Sequence, residues 1–315
     1  MILGGKNTMR ANRKPRLDLL TAGVGSPRSA SSRVVARLLA AVVTVCIGAG
    51  MAAADDSLPF GGPIGTQWAL APAFSDEFNG SAVDANKWGV YYHQGGGSPD
   101  FPAANSQVAG GNLQLKITYD SNSPNTFKYD GGGVQSLEKS GYGYYEARIK
   151  SAAVPADNAF WLFNWKWDYD QRTNEEIDIV EQYGSHVPNG PTKAYMGYPY
   201  WIDDVGYGGG IGYDTQVNLT LDYHVYGLDW NRDNLVWYID GIERLRIANE
   251  HWFRSEWVNL TLIPFDWLGP PEPLSAATMN VDYVRVWQAV PEPGTVALLA
   301  TALSGLLVYA RRKRR

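Results

Sequence analysis

Between Leu58 and Gln288 no apolar pattern with a period of 3.6 residues runs long enough to make a major helix. The segment is built instead from short alternating runs broken by Gly, Pro, Asn and Asp. Asn112–Ile117 alternates strictly, as a half-buried strand does. In Tyr142–Lys150, Tyr144, Glu146, Arg148 and Lys150 share one parity, and Tyr145, Ala147 and Ile149 share the other. Leu235–Ile239 runs through Asp240-Gly241 into Ile242–Leu245, and an Asp-Gly pair between two such runs signals a hairpin. Val281–Trp287 alternates again. Many short strands at close spacing predict an all-β fold, an antiparallel sandwich or jelly roll. Gly-rich stretches at Gln94–Ser98, Tyr129–Gly133 and Tyr207–Gly212 read as long turns or cleft-rim loops. No internal repeat and no second domain stand out.

Composition narrows the partners. The single cysteine, Cys46, excludes a disulfide framework and any Cys-rich metal site. The net charge of -5 hides an asymmetry, because basic residues crowd both ends. Residues 55–310 hold 14 basic against 31 acidic residues, a net of −17. Such a body repels phosphate backbones, so nucleic acid is not an expected partner. It is also a poor surface for a heavily sulfated polymer, subject to salt screening.

The two ends read as addresses. Arg33 and Arg37 precede an apolar run, Leu38 to Ala49, followed by Ala52-Ala53-Ala54. A basic flank, a short apolar core and an Ala-x-Ala-like end describe a secretory signal peptide, so residues 1–54 are expected to direct export. The rival is a transmembrane anchor, for which the run is short. At the other end stand Pro291-Glu292-Pro293-Gly294, the apolar run Thr295–Ala310 and the cluster Arg311–Arg315. This tail resembles the PEP-CTERM sorting signal of Gram-negative bacteria, which implies cleavage by an exosortase-type processing enzyme. An ordinary tail anchor, a transmembrane helix, is the alternative. Either way the folded body lies outside the cytoplasmic membrane, touching it only through the terminal segments. The domain layout expected is 1–54 signal region, 55–288 catalytic domain and 289–315 sorting tail, with the body a monomer.

The most informative segment is Asn174–Tyr183, Asn-Glu-Glu-Ile-Asp-Ile-Val-Glu-Gln-Tyr. Side chains two apart on a strand share a face, so Glu176 and Asp178 point together and Ile177 points to the core. Glu181 falls on the wrong parity unless one extra residue, a β-bulge near Ile179-Val180, restores it. Three carboxylates on one face repel one another, and that forces their proton affinities apart, as an acid and a nucleophile require. The rival reading is the acidic outer face of a solvated strand. Trp161, Trp165, Trp167, Tyr169 and Tyr183 lie within fifteen residues of the acids and favour a carbohydrate cleft, since flat rings stack on the C–H faces of sugars.

Glu176-Ile-Asp178-Ile-Val-Glu181 resembles the E-x-D-x-x-E signature of the bulge-type members of glycoside hydrolase family 16. Phe74–Gly80 with Lys87-Trp88, Tyr142–Lys150, Ala159–Leu162, Tyr223–Trp230 and Val281–Trp287 resemble other segments of that family in the same order, across residues 68–288. The resemblance implies a concanavalin-like β-jelly-roll sandwich of two curved antiparallel sheets with a concave substrate cleft. It implies a retaining endo-glycosidase acting on β-linked glucan or galactan without a required cofactor. By position Glu176 is the nucleophile, Glu181 the general acid/base, and Asp178 the residue holding the nucleophile's charge state. Trp167 matches a sugar-stacking tryptophan of agarase-like members, and Trp161, Trp165, Tyr183 and Trp201 join it as expected sugar contacts. Glu77 and Asp282 fall where some members bind a structural Ca²⁺, with capping or turn carboxylates as the alternative. Two departures bear on substrate. Asp157-Asn158 replaces the Trp-Pro-Ala run of typical β-1,3-glucanases, and Lys193–Trp201 lacks their histidine. Both turn the expectation towards a galactan of the agarose or porphyran type, with β-1,3-glucan second and a non-catalytic binding protein third.

Overall fold

The structure is a computed structural model. It describes residues 59–290 apart from 64–65, 91–98, 187 and 189. The chain divides between Ala52 and Ala53, and all the described residues belong to the second unit. The first, with the expected signal region and Cys46, lies outside the described residues, as do Gln94–Ser98 and the tail from Pro291. Among the described residues no helix is long and apolar enough to cross a membrane.

The described strands are, in chain order, β1 (Trp68–Leu70), β2 (Trp88–Val90), β3 (Ser106–Ala109), β4 (Asn112–Lys116), β5 (Thr118–Tyr119), β6 (Tyr129–Asp130), β7 (Gly132–Ser140), β8 (Gly143–Lys150), β9 (Asp157–Asn164), β10 (Thr173–Gln182), β11 (Lys193–Ile202), β12 (Val205–Asp214), β13 (His224–Trp230), β14 (Asn234–Ile239), β15 (Ile242–Ala248), β16 (Glu256–Ile263) and β17 (Thr278–Ala289). All the pairings are antiparallel. One sheet runs β15-β14-β13-β8-β17-β4-β3, with β1 also on β17, and the other runs β12-β11-β10-β9-β16-β7-β2. The fold is the expected all-β sandwich.

Alternation decides which side chains meet between the sheets. Tyr145, Ala147 and Ile149 of β8 and Leu113 and Leu115 of β4 face Phe160 and Leu162 of β9, Ile177 and Ile179 of β10, and Leu260 and Leu262 of β16 in one buried core. The expected hairpin is present. Asp240 and Gly241 take φ of 51° and 74°, the left-handed pair that matches strand twist in a two-residue turn.

The other parity of β8 is not left to water. Tyr144 is buried with Trp68, Val236, Tyr238 and Trp287 in a second cluster on the sheet's outer face. Glu146 is buried beside it, accepting the Tyr283 hydroxyl at 2.8 Å and the Phe60 N–H at 2.7 Å. Those bonds make the buried carboxyl tolerable.

Two expectations are corrected here. Tyr129–Gly133 falls in β6 and the start of β7. Tyr207–Gly212 is not a loop but the middle of edge strand β12, in register with β11 from Lys193↔Asp214 to Ile202↔Val205. The ladder satisfies the backbone groups that a long Gly-rich loop would leave to water.

Candidate active site

β10 is the central element of the site. Opposite β9 its register advances two residues, Asp178 to Val180, while β9 moves one, Trp161 to Phe160. Opposite β11 it advances three, Asp178 to Glu181, against two, Gly197 to Tyr195. The expected bulge is therefore present at Ile179. Ile177, Ile179 and Val180 all enter the core. Glu176, Asp178 and Glu181 emerge on the opposite face and line one recess of about 170 Å³.

Two buried tryptophans hold this strand from behind. Trp237 of β14 donates its indole N–H to the carbonyl of Asp178 at 2.8 Å. Trp252 donates to the carbonyl of Glu176 at 2.9 Å. Donors from across the core thus fix the backbone at the start of the bulge and two residues before it.

Asp157 and Ala159 of β9, with Trp161, complete one wall of the recess, and Ile263 and Phe265 complete another. Asp157 was not among the expected site residues. It is a buried carboxyl hydrogen-bonded to Glu181. Four carboxyls in so small a space cannot all ionise. Burial is the main cause that raises all four above the ordinary carboxylate range. Hydrogen bonds then divide the protons. The Asp178–Glu176 bond raises Asp178 and lowers Glu176, so of the two Asp178 holds a proton more tightly. The Asp157–Glu181 bond raises Asp157 and lowers Glu181. Tyr183 donates its hydroxyl to Glu181 Oε2 at 3.3 Å and also lowers it, yet burial keeps Glu181 raised overall.

A second recess of about 340 Å³ opens from Asp178 and Glu181 across β11 and β12. Its walls include Tyr195, Gly197, Pro199, Gly210 and Gly212. On β11, Ala194 and Met196 face the core, so Tyr195, Gly197, Pro199 and Trp201 share the cleft face. Their partners on β12 are Gly212, Gly210, Gly208 and Gly206, which leaves that part of the face bare of side chains.

The expected sugar-contacting aromatics separate into two groups. Trp161 and Tyr183 stand at the carboxyls, with the Trp161 indole donating to Thr261 Oγ1 at 3.0 Å. Trp165, Trp167 and Trp201 line neither recess. Trp201 is opposite Asn174 on β11, and Asn174 accepts the Lys166 N–H between Trp165 and Trp167, so these three flank the Glu176 end of β10. Trp167 is 62% exposed there. The Glu181 end has its own aromatics, which the sequence did not reveal. Trp267 meets Tyr183 edge-on at 5.1 Å and stacks with Phe265 at 6.3 Å, and Tyr183 packs against Tyr195 at 4.7 Å. Trp267 lies in a short 3-10 turn far along the chain, where no local pattern links it to the acids.

The two carboxylates expected at a Ca²⁺ site each have a guanidinium partner. Glu77 is held by Arg285 through two hydrogen bonds of 2.6 and 2.8 Å, and Asp282 by Arg148 at 2.8 Å. The two carboxylates serve separate guanidinium groups. Among the described residues no group of three or more His, Cys, Asp or Glu gathers as a metal site would require.

Comparison with known proteins follows the same outline. Residues 68–289 match the family model described as "Beta-porphyranase A-D, GH16 domain", and residues 289–315 match the PEP-CTERM protein-sorting motif. A beta-porphyranase E of Zobellia galactanivorans is 28% identical over 255 residues, covering 73% of this chain and 91% of that protein. A glucan endo-1,3-beta-glucosidase A1 of Niallia circulans is also 28% identical, over 258 residues covering 68% of this chain but only 37% of that protein. The crystal structure of porphyranase B from Zobellia galactanivorans superposes with a TM-score of 0.65 at 23% identity, covering 76% of this chain and 98% of that one.

Proposed function

The chain belongs to glycoside hydrolase family 16, and on that premise we propose that it is an exported endo-galactanase working by the retaining mechanism. Glu181, protonated, donates to the glycosidic oxygen while a Glu176 oxygen bonds to the anomeric carbon. The bond to the leaving oxygen breaks and a glycosyl ester on Glu176 remains. Glu181 then takes a proton from water, the water oxygen bonds to the anomeric carbon, and the ester breaks to restore the Glu176 carboxylate. Two inversions leave the configuration retained. Asp178, keeping the proton it shares with Glu176, lets the nucleophile carry the charge.

The observation that carries this reading is the bulge at Ile179, which turns Glu181 to the face of Glu176 and Asp178. Residues 55–288 form the catalytic part, with a signal region before and a sorting tail after. The PEP-CTERM motif marks the chain for export and surface association. Removal of the tail by an exosortase-type enzyme would release the body, a monomer, at the cell surface or beyond it.

Reducing ends released from agarose, porphyran and laminarin test the proposal. Wild type should cleave a galactan, and Glu176→Gln should lose about 10³-fold or more in kcat. Equal turnover by both proteins refutes the nucleophile. Cleavage of laminarin alone replaces galactan by β-1,3-glucan.

A further inference from the structure

We infer that the sugar units on both sides of the cleaved bond are uncharged, so that the substrate is a neutral galactan of the agarose type and not a sulfated one. This rests on the glycosidase reading above and narrows its substrate. Both recesses open onto Asp178 and Glu181, and Asp157 and Glu176 stand in the smaller. Among the described residues neither recess is lined by a Lys, Arg or His. A sulfate ester bound there would face a cluster of carboxyls with no cation to offset its desolvation, whereas built oxyanion sites use paired guanidinium or ammonium groups.

Four nearby cations are already committed. At the Glu176 end of β10, Lys166 pairs with Asp204 at 2.5 Å and Arg172 with Asp203 at 2.5 Å. Arg254 pairs with Asp170 at 2.6 Å and Lys139 with Asp168 at 2.7 Å. Each of these four cations thus reaches an approaching polymer as half of a neutral pair. The wider field is negative as well, with the net of −17 over residues 55–310. What the larger recess does offer is a floor of backbone and one proline ring, from Gly197 and Pro199 to Gly209, Gly210 and Gly212. Such a floor suits the flat face of an unsubstituted sugar ring, with Tyr195 as the aromatic wall.

The test compares kcat/KM of the wild-type protein on neutral agarose oligosaccharides, on porphyran (a galactan bearing sulfate esters) and on chemically desulfated porphyran. At low salt the neutral substrates should be favoured about tenfold or more, and added NaCl should narrow the gap by speeding only the sulfated polymer. Equal or faster cleavage of native porphyran, or salt slowing it, overturns the inference. Calorimetric binding of neutral and sulfated oligosaccharides to Glu176→Gln decides the point independently of turnover, and tighter binding of the sulfated one overturns it. Absence of cleavage of every galactan and of laminarin strikes the glycosidase reading instead, while the binding result still judges the charge preference.

Discussion

Gly197→Ala offers a severe test of how the carboxyls are held. Gly197 sits opposite Asp178 on β11, and a Cβ built there would lie 3.0 Å from the Asp178 Cγ and 3.1 Å from its Cβ, with Oδ2 nearer still. Ordinary contact begins near 3.4 Å, so the methyl overlaps the carboxyl group itself. Asp178 cannot retreat along the strand, because its carbonyl is fixed by the buried Trp237 indole. The carboxyl must therefore rotate away from Glu176 or β11 must slide, by about 1 Å in either case. A displacement of about 1 Å at a reacting group costs about 10²-fold in rate. Overpacking of this kind costs about 1–3 kcal/mol of stability, or about 2–10 °C in Tm for a body of this size. Reducing-end kinetics on agarose and a thermal scan measure both. Gly89→Ala is the control, since its Cβ meets only a Leu137 methyl at 3.6 Å in the same sheet. A Gly197→Ala protein with kcat within about twofold of wild type and an unchanged Tm would refute the tight Asp178 setting.

Three further outcomes follow from the same geometry. Trp237→Phe removes the N–H that the Asp178 carbonyl accepts, leaving a buried acceptor at a cost of about 1–3 kcal/mol, so Tm and kcat should both fall while KM changes little. Tyr183→Phe removes a hydrogen bond that favours ionised Glu181; the acid then keeps its proton to higher pH, and the basic limb of the kcat/KM profile should move upward. Glu175 is pushed up to about 7 and Glu256 well above its usual range, both chiefly by burial, and the two Glu256 oxygens have no hydrogen-bond partner among the described residues. A raised carboxyl binds its proton more tightly folded than unfolded, so the stability these groups contribute is whole below about pH 4.5 and drains away as pH rises through the folded values. Thermal scans should show Tm falling from pH 5 to pH 8, and Glu256→Gln should flatten that slope.

Period-two alternation made much of this protein legible without coordinates. It is a local property, because the pleat sends neighbouring side chains to opposite faces whatever the rest of the chain does. Hence β4, β8, β17 and the Asp240-Gly241 hairpin could be read directly. The parity of Glu176 and Asp178 against that of Glu181 likewise demanded a bulge before any register was known. Other features had no local trace. Tyr207–Gly212 looked like a loop because its strand character comes from β11, which supplies the ladder. Nothing in the local pattern of Glu77 and Asp282 pointed to their guanidinium partners, Arg285 and Arg148. Asp157, Phe265 and Trp267 join the site from strands and turns brought in from distant parts of the sequence, as do the indoles of Trp237 and Trp252. Sequence fixes which way a residue faces along its own strand; which neighbours it then meets depends on the order in which strands from all over the chain assemble into sheets, and that order alone decided the charge, the walls and the supports of the cleft.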